Sequence, residues 1–335
     1  MKKVAAAISI LLAVHRIACA VQPAADSSVV MWYETPANHF TQSLPLGNGR
    51  LGMMVFGGVK KDRIVLNEES LWSGSPSENN RPDAHKQLPE IRRLLLEGKN
   101  DEAERLVNQT FTCKGEGSGH GKGANVPFGC YQVLGNLSIE FDMETNSAAE
   151  YRRQLDLSTA VAEVRYEARG VTYHRRYFTS APDQVGVIRL TADRGLALTF
   201  GIGLDRPERF VTKAVADDEL LMTGQLNDGR GGGGVRYAVR VRVLTTGGNV
   251  VSFDNLLTVH DADTATILFA AETDYDGVVP RDRKIDDPVA KTAQVIAAAA
   301  AKPYEAILAD HIADHREFFD RVSISFDDGK QAGRQ

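Results

Sequence analysis

The sequence predicts a mainly β protein: a large antiparallel β-sandwich (a supersandwich) with a small helical insertion and C-terminal linker helices. Strand-like runs follow one another at short spacing between residues 131 and 275, with no helical pattern between them. Several of these runs alternate. Val235, Tyr237, Val239, Val241 and Val243 are apolar, and Arg236, Arg240 and Arg242 fall between them. That is the pattern of a sheet buried on one face and wet on the other. Helical periodicity is confined to residues 82–111 and 287–320. So many strands favour two packed sheets over a barrel.

The chain has 335 residues, 43% hydrophobic and 25% charged, enough for one large all-β domain. It opens MKKVAAAISILLAVHRIACA: a basic start, an apolar stretch, then Ala18 and Ala20. This reads as a signal peptide over residues 1–20, cleaved after Ala20. A lipoprotein signal on Cys19 is the competing reading, but Arg16 stands where such signals carry an aliphatic residue. Losing Lys2, Lys3 and Arg16 takes the formal charge from −5 to −8. A mildly acidic chain with no basic run argues against nucleic acid. No later segment is apolar enough to span a bilayer. The mature protein is expected in solution, secreted or periplasmic.

Residues 31–72 read as β, with turns at Pro36, 47–49 and 57–58. Gly47, Gly49 and Gly52 in PLGNGRLGMMVFGG have dinucleotide-loop spacing. That motif requires a buried strand before it and a helix after it. A polar segment precedes these glycines, and MMVFGGVKKDRIVL, a hairpin pattern, follows them. They are expected to make a tight turn and a close backbone approach instead.

Residues 82–111 carry two apolar stripes, Ile91, Leu94 and Leu95, then Ala103, Leu106 and Val107. Gly98 breaks them, and Asp101 is the expected cap of the second helix. Cys113 and Cys130 bracket a glycine-rich loop. In an exported protein they form a possible disulfide. Free thiols remain open, and zinc with His120 lacks ligands. After the β region, Asp287 caps a helix with Pro288 at its first position, and Pro303 opens a second. A short strand, VSISF, is expected next, before a polar tail.

His311 and His315 lie four apart on the last helix but do not form H-E-x-x-H, so a solvated or interdomain polar face is expected rather than a metal site. LNEESLWSG sets Asn67, Glu68 and Glu69 just before Trp72. Carboxylates and an amide beside an aromatic suit a sugar site, because tryptophan stacks on pyranose faces while polar groups hold hydroxyls. From spacing alone, the residues favour a polar strand end with a core tryptophan over that site.

Longer motifs carry a resemblance. MWYETPANHFTQSLPLGNGRLGMMVFGGVKKDRIVLNEESLWSG, YQVLGNLSIEF, YRRQLDLSTAVAEVRYEARGVTYHRRYFTSAPDQVGVIRL and HIADHREFFDRVSISF occur in order. Together they resemble glycoside hydrolase family 95, the inverting α-L-fucosidases, over residues 30–326. The resemblance implies an N-terminal sandwich over 21–286, linker helices over 287–321, and a segment 322–335 where an (α/α)6 catalytic barrel begins. It implies that no catalytic residue lies in this chain, which alone is expected to be inactive, and that no cofactor or metal is needed. The barrel would be supplied in cis or encoded separately, and the substrate would be a fucosylated oligosaccharide or glycoprotein glycan. Asn48, Asn67, Glu68 and Trp72 are then candidates for the rim of the substrate site or for the domain interface. An α-L-galactosidase of the same family, and a stand-alone carbohydrate-binding sandwich, are the alternatives.

Overall fold

The computed structural model describes residues 29–324 apart from 116, 118–122, 144–146 and 276–286. The N-terminal segment with Cys19, His120, and the tail from Ser325 onward lie outside the described residues.

The first strands are β1 (Val30–Tyr33), β2 (Leu44–Gly47), β3 (Leu51–Val55) and β4 (Lys61–Glu68). Helices α1 (Leu88–Leu96) and α2 (Asn100–Thr110) form the insertion. The chain returns through β5 (Gly135–Phe141), β6 (Ala149–Asp156), β7 (Val161–Ala168), β8 (Val171–Ser180) and β9 (Val185–Ala192). Next come β10 (Leu198–Asp205), β11 (Phe210–Ala216), β12 (Glu219–Asn227) and β13 (Gly233–Thr246). The last strands are β14 (Asn249–Phe253), β15 (Leu256–Ala262) and β16 (Thr264–Thr273). Helices α3 (Pro288–Ala300) and α4 (Tyr304–Phe319) follow.

Two antiparallel sheets form. The nine-stranded sheet runs β1-β6-β7-β8-β9-β16-β13-β12-β11, and the seven-stranded sheet β14-β15-β10-β5-β4-β3-β2. Their facing sides interdigitate into one core. Ile64, Leu66, Ile139, Phe200 and Ile202 of the smaller sheet meet Tyr166, Tyr177, Ile188, Val241 and Ile267 of the larger. Burying side chains of this size stabilises the fold by roughly 1.5–3 kcal/mol each.

The alternation in β13 behaves as expected on its inner face, where Tyr237, Val239, Val241 and Val243 are buried. The outer face is a correction. Ala238 and Arg240 are buried too, because α3 packs across β13 and β16. A second apolar layer results, with Phe178, Val187, Leu268 and Ala270 against Ile296, Ala299 and Ile307. The unbroken apolar run of β16 reflects burial on both sides.

The caps split. Asp287 accepts the Val289 amide at 3.1 Å, with Pro288 at the first helical position of α3. The cap of α2 is Lys99, not Asp101, which falls inside the first turn, where a carboxylate complements the helix dipole. Residues 322–324 form no strand. Cys113 and Cys130 are free thiols. Cys130 is tied to the Trp72 side of the molecule, its amide donating to Ser73 Oγ at 3.0 Å. Cys113, exposed, precedes Lys114, whose amide bonds the Asn79 carbonyl.

Candidate functional site

The three early glycines resolve into a hairpin turn. Gly47 pairs with Gly52 across β2 and β3. Gly49 has φ of 90°, a conformation side-chain-bearing residues rarely adopt. A Cβ on Gly52 would lie 3.2 Å from that of Asn67, so the glycine lets β3 close onto β4. Asn48 organises the turn: its Oδ1 accepts the amides of Arg50 (3.0 Å) and Leu51 (2.7 Å). Its Nδ2 donates to the Ser180 carbonyl at 3.0 Å. Arg50 Nε donates to Gln184 Oε1 at 2.6 Å, so the turn is stitched to the β8–β9 connection at two points.

This turn stands between two clefts. Gly47 and Asn48 line one of about 520 Å³ with His311, His315, Phe318 and Phe319 of α4. Arg50 lines the other, of about 530 Å³, with Glu68, Glu69, Ser70, Trp72, Glu272, Thr273, Tyr275 and Lys291. Of the sequence candidates, Glu68 and Trp72 meet in this second cleft. Asn67 stands one residue before it in β4. Asn48 faces the first cleft and reaches the second only through the turn that carries Arg50.

In the second cleft, Glu68 is the last residue of β4, on the strand's core-facing side, and is 3% exposed. Its Oε2 accepts the Ser70 amide (2.9 Å) and hydroxyl (2.7 Å), and Ser70 Oγ meets Thr273 Oγ1. Glu272 comes from the helix-covered side of β16 and is 5% exposed. Arg50 spans the two carboxylates, with Nη1 3.6 Å from Glu68 and Nη2 3.4 Å from Glu272. Lys291 of α3 closes on Glu272 at 2.7 Å. Burial pushes the Glu68 carboxyl above its ordinary value; the Ser70 hydrogen bonds and Arg50 oppose the rise, and Glu272 adds to it.

Beyond β4 the chain turns, and Leu71, fully buried, pins it. Trp72 points outward and is 50% exposed. Its Nε1 donates to the Glu69 carbonyl at 3.2 Å. The ring meets Tyr131 edge-on at 5.5 Å between centroids, and the two residues form a β-bridge. Tyr131 in turn donates its hydroxyl to the Glu68 carbonyl at 3.2 Å. Tyr275, also exposed, stands in the same cleft. The arrangement offers acceptors, donors and fixed aromatic surface.

Arg50, Glu272, Thr273, Tyr275 and Lys291 were not singled out in the sequence. Glu272, ending the apolar run TATILFAAE, carried a readable signal, because a charge closing a doubly buried strand must find partners. The histidine pair differs from a solvated polar face. His311 is buried, with Nε2 3.0 Å from the Thr159 carbonyl. Its ring packs between a tilted Phe178 ring and a stacked His315, fastening α4 to the larger sheet. Among the described residues no group of three or more His, Cys, Asp or Glu is disposed to hold a metal ion.

By class, this is a large two-sheet antiparallel sandwich with a polar, aromatic-rimmed cleft at the end where β4 and β16 finish. The family model described as "Glycosyl hydrolase family 65, N-terminal domain" matches residues 31–278, and the chain belongs to that family. Alpha-L-fucosidase 2 of Arabidopsis thaliana is 31% identical, over 86% of this chain and 36% of its own length. A probable alpha-fucosidase A of Aspergillus niger is 28% identical, over 89% of this chain and 38% of its own. The chain thus spans a little over a third of the curated relatives it matches. Among solved structures, a putative kojibiose phosphorylase from the human microbiome aligns over 87% of this chain and 38% of that one. Its identity is 10% and its TM-score 0.48. The homology supports an N-terminal domain of a glycosidase, as the sequence motifs led us to expect.

Proposed function

We propose that this chain is the N-terminal sandwich of an exported α-L-fucosidase of glycoside hydrolase family 95. The parent removes terminal α-linked L-fucose from oligosaccharide or glycoprotein glycans by attack of water with inversion. The observation that carries this reading is the similarity, along most of this chain, to relatives named for α-fucosidase activity.

In an inverting mechanism one carboxylic acid protonates the leaving oxygen while a second group activates water on the opposite face of the sugar. We assign both roles to an (α/α)6 barrel, in cis or separately encoded. Glu68 and Glu272 are unsuited to them, since Arg50 and Lys291 already neutralise them at the floor of the cleft. On this reading the cleft of Glu68 and Trp72 forms the outer rim of the substrate site, and the chain alone is inactive. The reading invokes no cofactor.

The test is hydrolysis of 4-nitrophenyl α-L-fucoside and α-L-galactoside by the longer parent and by this chain, with NMR of the first-formed sugar anomer. Fucose released as the β-anomer by the parent alone is the expected result. First appearance of the α-anomer overturns inversion. Preference for the galactoside moves the specificity to α-L-galactosidase. Failure of both substrates, with binding retained, leaves a stand-alone carbohydrate-binding sandwich.

A further inference from the structure

We infer that Trp72 and Tyr275, which line one cleft, form a carbohydrate-stacking platform belonging to this chain itself, which takes a neutral pyranose of the glycan. The ligand class rests on the glycosidase reading above; the site rests on its own geometry. An aromatic side chain left half open is ordinary on a protein surface. Trp72 differs in being held. Its indole N–H, its ring and its backbone are each fixed by a named partner: the Glu69 carbonyl, the Tyr131 ring and the isolated β-bridge to Tyr131. Leu71 anchors the turn from beneath. A sugar docking on such a ring costs little side-chain entropy, because the ring is already ordered.

The surroundings supply what hydroxyl groups require. Glu68 and Glu69 are acceptors, Lys291 and Arg50 donors, and Ser70 and Thr273 act as either, all in one cleft. Arg50 Nη2 is buried and stands 3.4 Å from the Glu272 carboxylate without a hydrogen bond. A volume of about 530 Å³ lies within the range of small-ligand sites. Three carboxylates against two cations disfavour an acidic sugar and leave a neutral one.

The experiment uses the two tryptophans. Trp32 lies under the Arg152 guanidinium, outside the cleft. Trp32→Phe therefore leaves Trp72 as the single indole reporter in this chain. Lactose, 2′-fucosyllactose and 3′-sialyllactose are titrated against its fluorescence. Lactose and 2′-fucosyllactose should give a saturable change. In isothermal titration of the chain with Trp32 intact, Trp72→Ala should weaken binding at least about tenfold. Trp72→Tyr should restore most of it, and sialyllactose should bind more weakly. An unchanged melting temperature for both variants shows that the fold is kept. No saturable change with lactose, or binding that survives Trp72→Ala, overturns the platform. Hydrolysis by the parent fails or succeeds independently. A fucosidase whose N-terminal sandwich ignores lactose refutes the platform alone, and lactose binding with an inactive parent refutes the fucosidase reading alone.

Discussion

Strand β4 carries a buried carboxylate near each end of its core-facing side, and the two ends differ in every respect that bears on function. At the start, Asp62 is wholly enclosed. Its Oδ1 accepts the amides of Gly57 (2.8 Å) and Gly58 (3.1 Å), and its Oδ2 accepts the Tyr177 hydroxyl at 2.5 Å. Arg175 stands 3.5 Å away, donates to the carbonyls of Gly58 and Val59, and lies over the Phe141 ring. At the other end, Glu68 shares Arg50 with Glu272, and the cluster opens to solvent through Lys291 and Trp72. Burial raises both carboxyls above their ordinary values. At Asp62 the protein supplies the partners on all sides, leaving no room for a ligand. At Glu68 it supplies only some. A buried charge by itself therefore does not mark a site; a charge whose surroundings stay partly unfilled does.

The comparison can be broken by mutation. Arg175→Met leaves Asp62 buried without its cation and should cost about 3–5 kcal/mol, read as a lower urea midpoint. Asp62→Asn in the same chain should recover part of that loss. Arg50→Met removes a cation beside an open cleft, where water can replace it. About 1–2 kcal/mol is expected. Equal losses for the two arginines would mean that the Glu68 cluster is as structural as the Asp62 one.

Glu68→Gln sharpens the contrast through pH. A carboxyl whose folded pKa is raised favours folding at low pH, and that contribution is lost as pH rises through the folded value. The melting temperature of Glu68→Gln relative to the parent chain should therefore become more favourable from about pH 4 to pH 7. A difference that moves the other way would show that ionised Glu68 is net stabilised by Arg50. The smallest stability effect belongs to Trp72→Ala, within about 0.5 kcal/mol for a half-exposed side chain. In the longer parent the same change should raise KM and leave kcat in place; unchanged KM and melting temperature would remove Trp72 from the site.

Much of this was legible in the residues. Alternation in β13, the hairpin pattern around 53–66 and the Asp287-Pro288 cap are local signals set by strand period, turn chemistry and helix-end hydrogen bonding. Glu68 beside Trp72 was legible for the same reason, being four residues apart. Arg50, Glu272 and Lys291 come from a turn, a distant strand and a helix, and only the packing of α3 onto β16 brings them to one point.

By itself, then, the sequence determined the β class, the helical insertion and exit, the glycine turn, and one wall of the cleft. These follow from contacts between near neighbours and from the two-residue period of a strand. Tertiary structure decided that α3 covers much of the outer face of β13 as well, and which arginine serves Glu68. Those depend on contacts between residues far apart in the chain, and no local spacing encodes them.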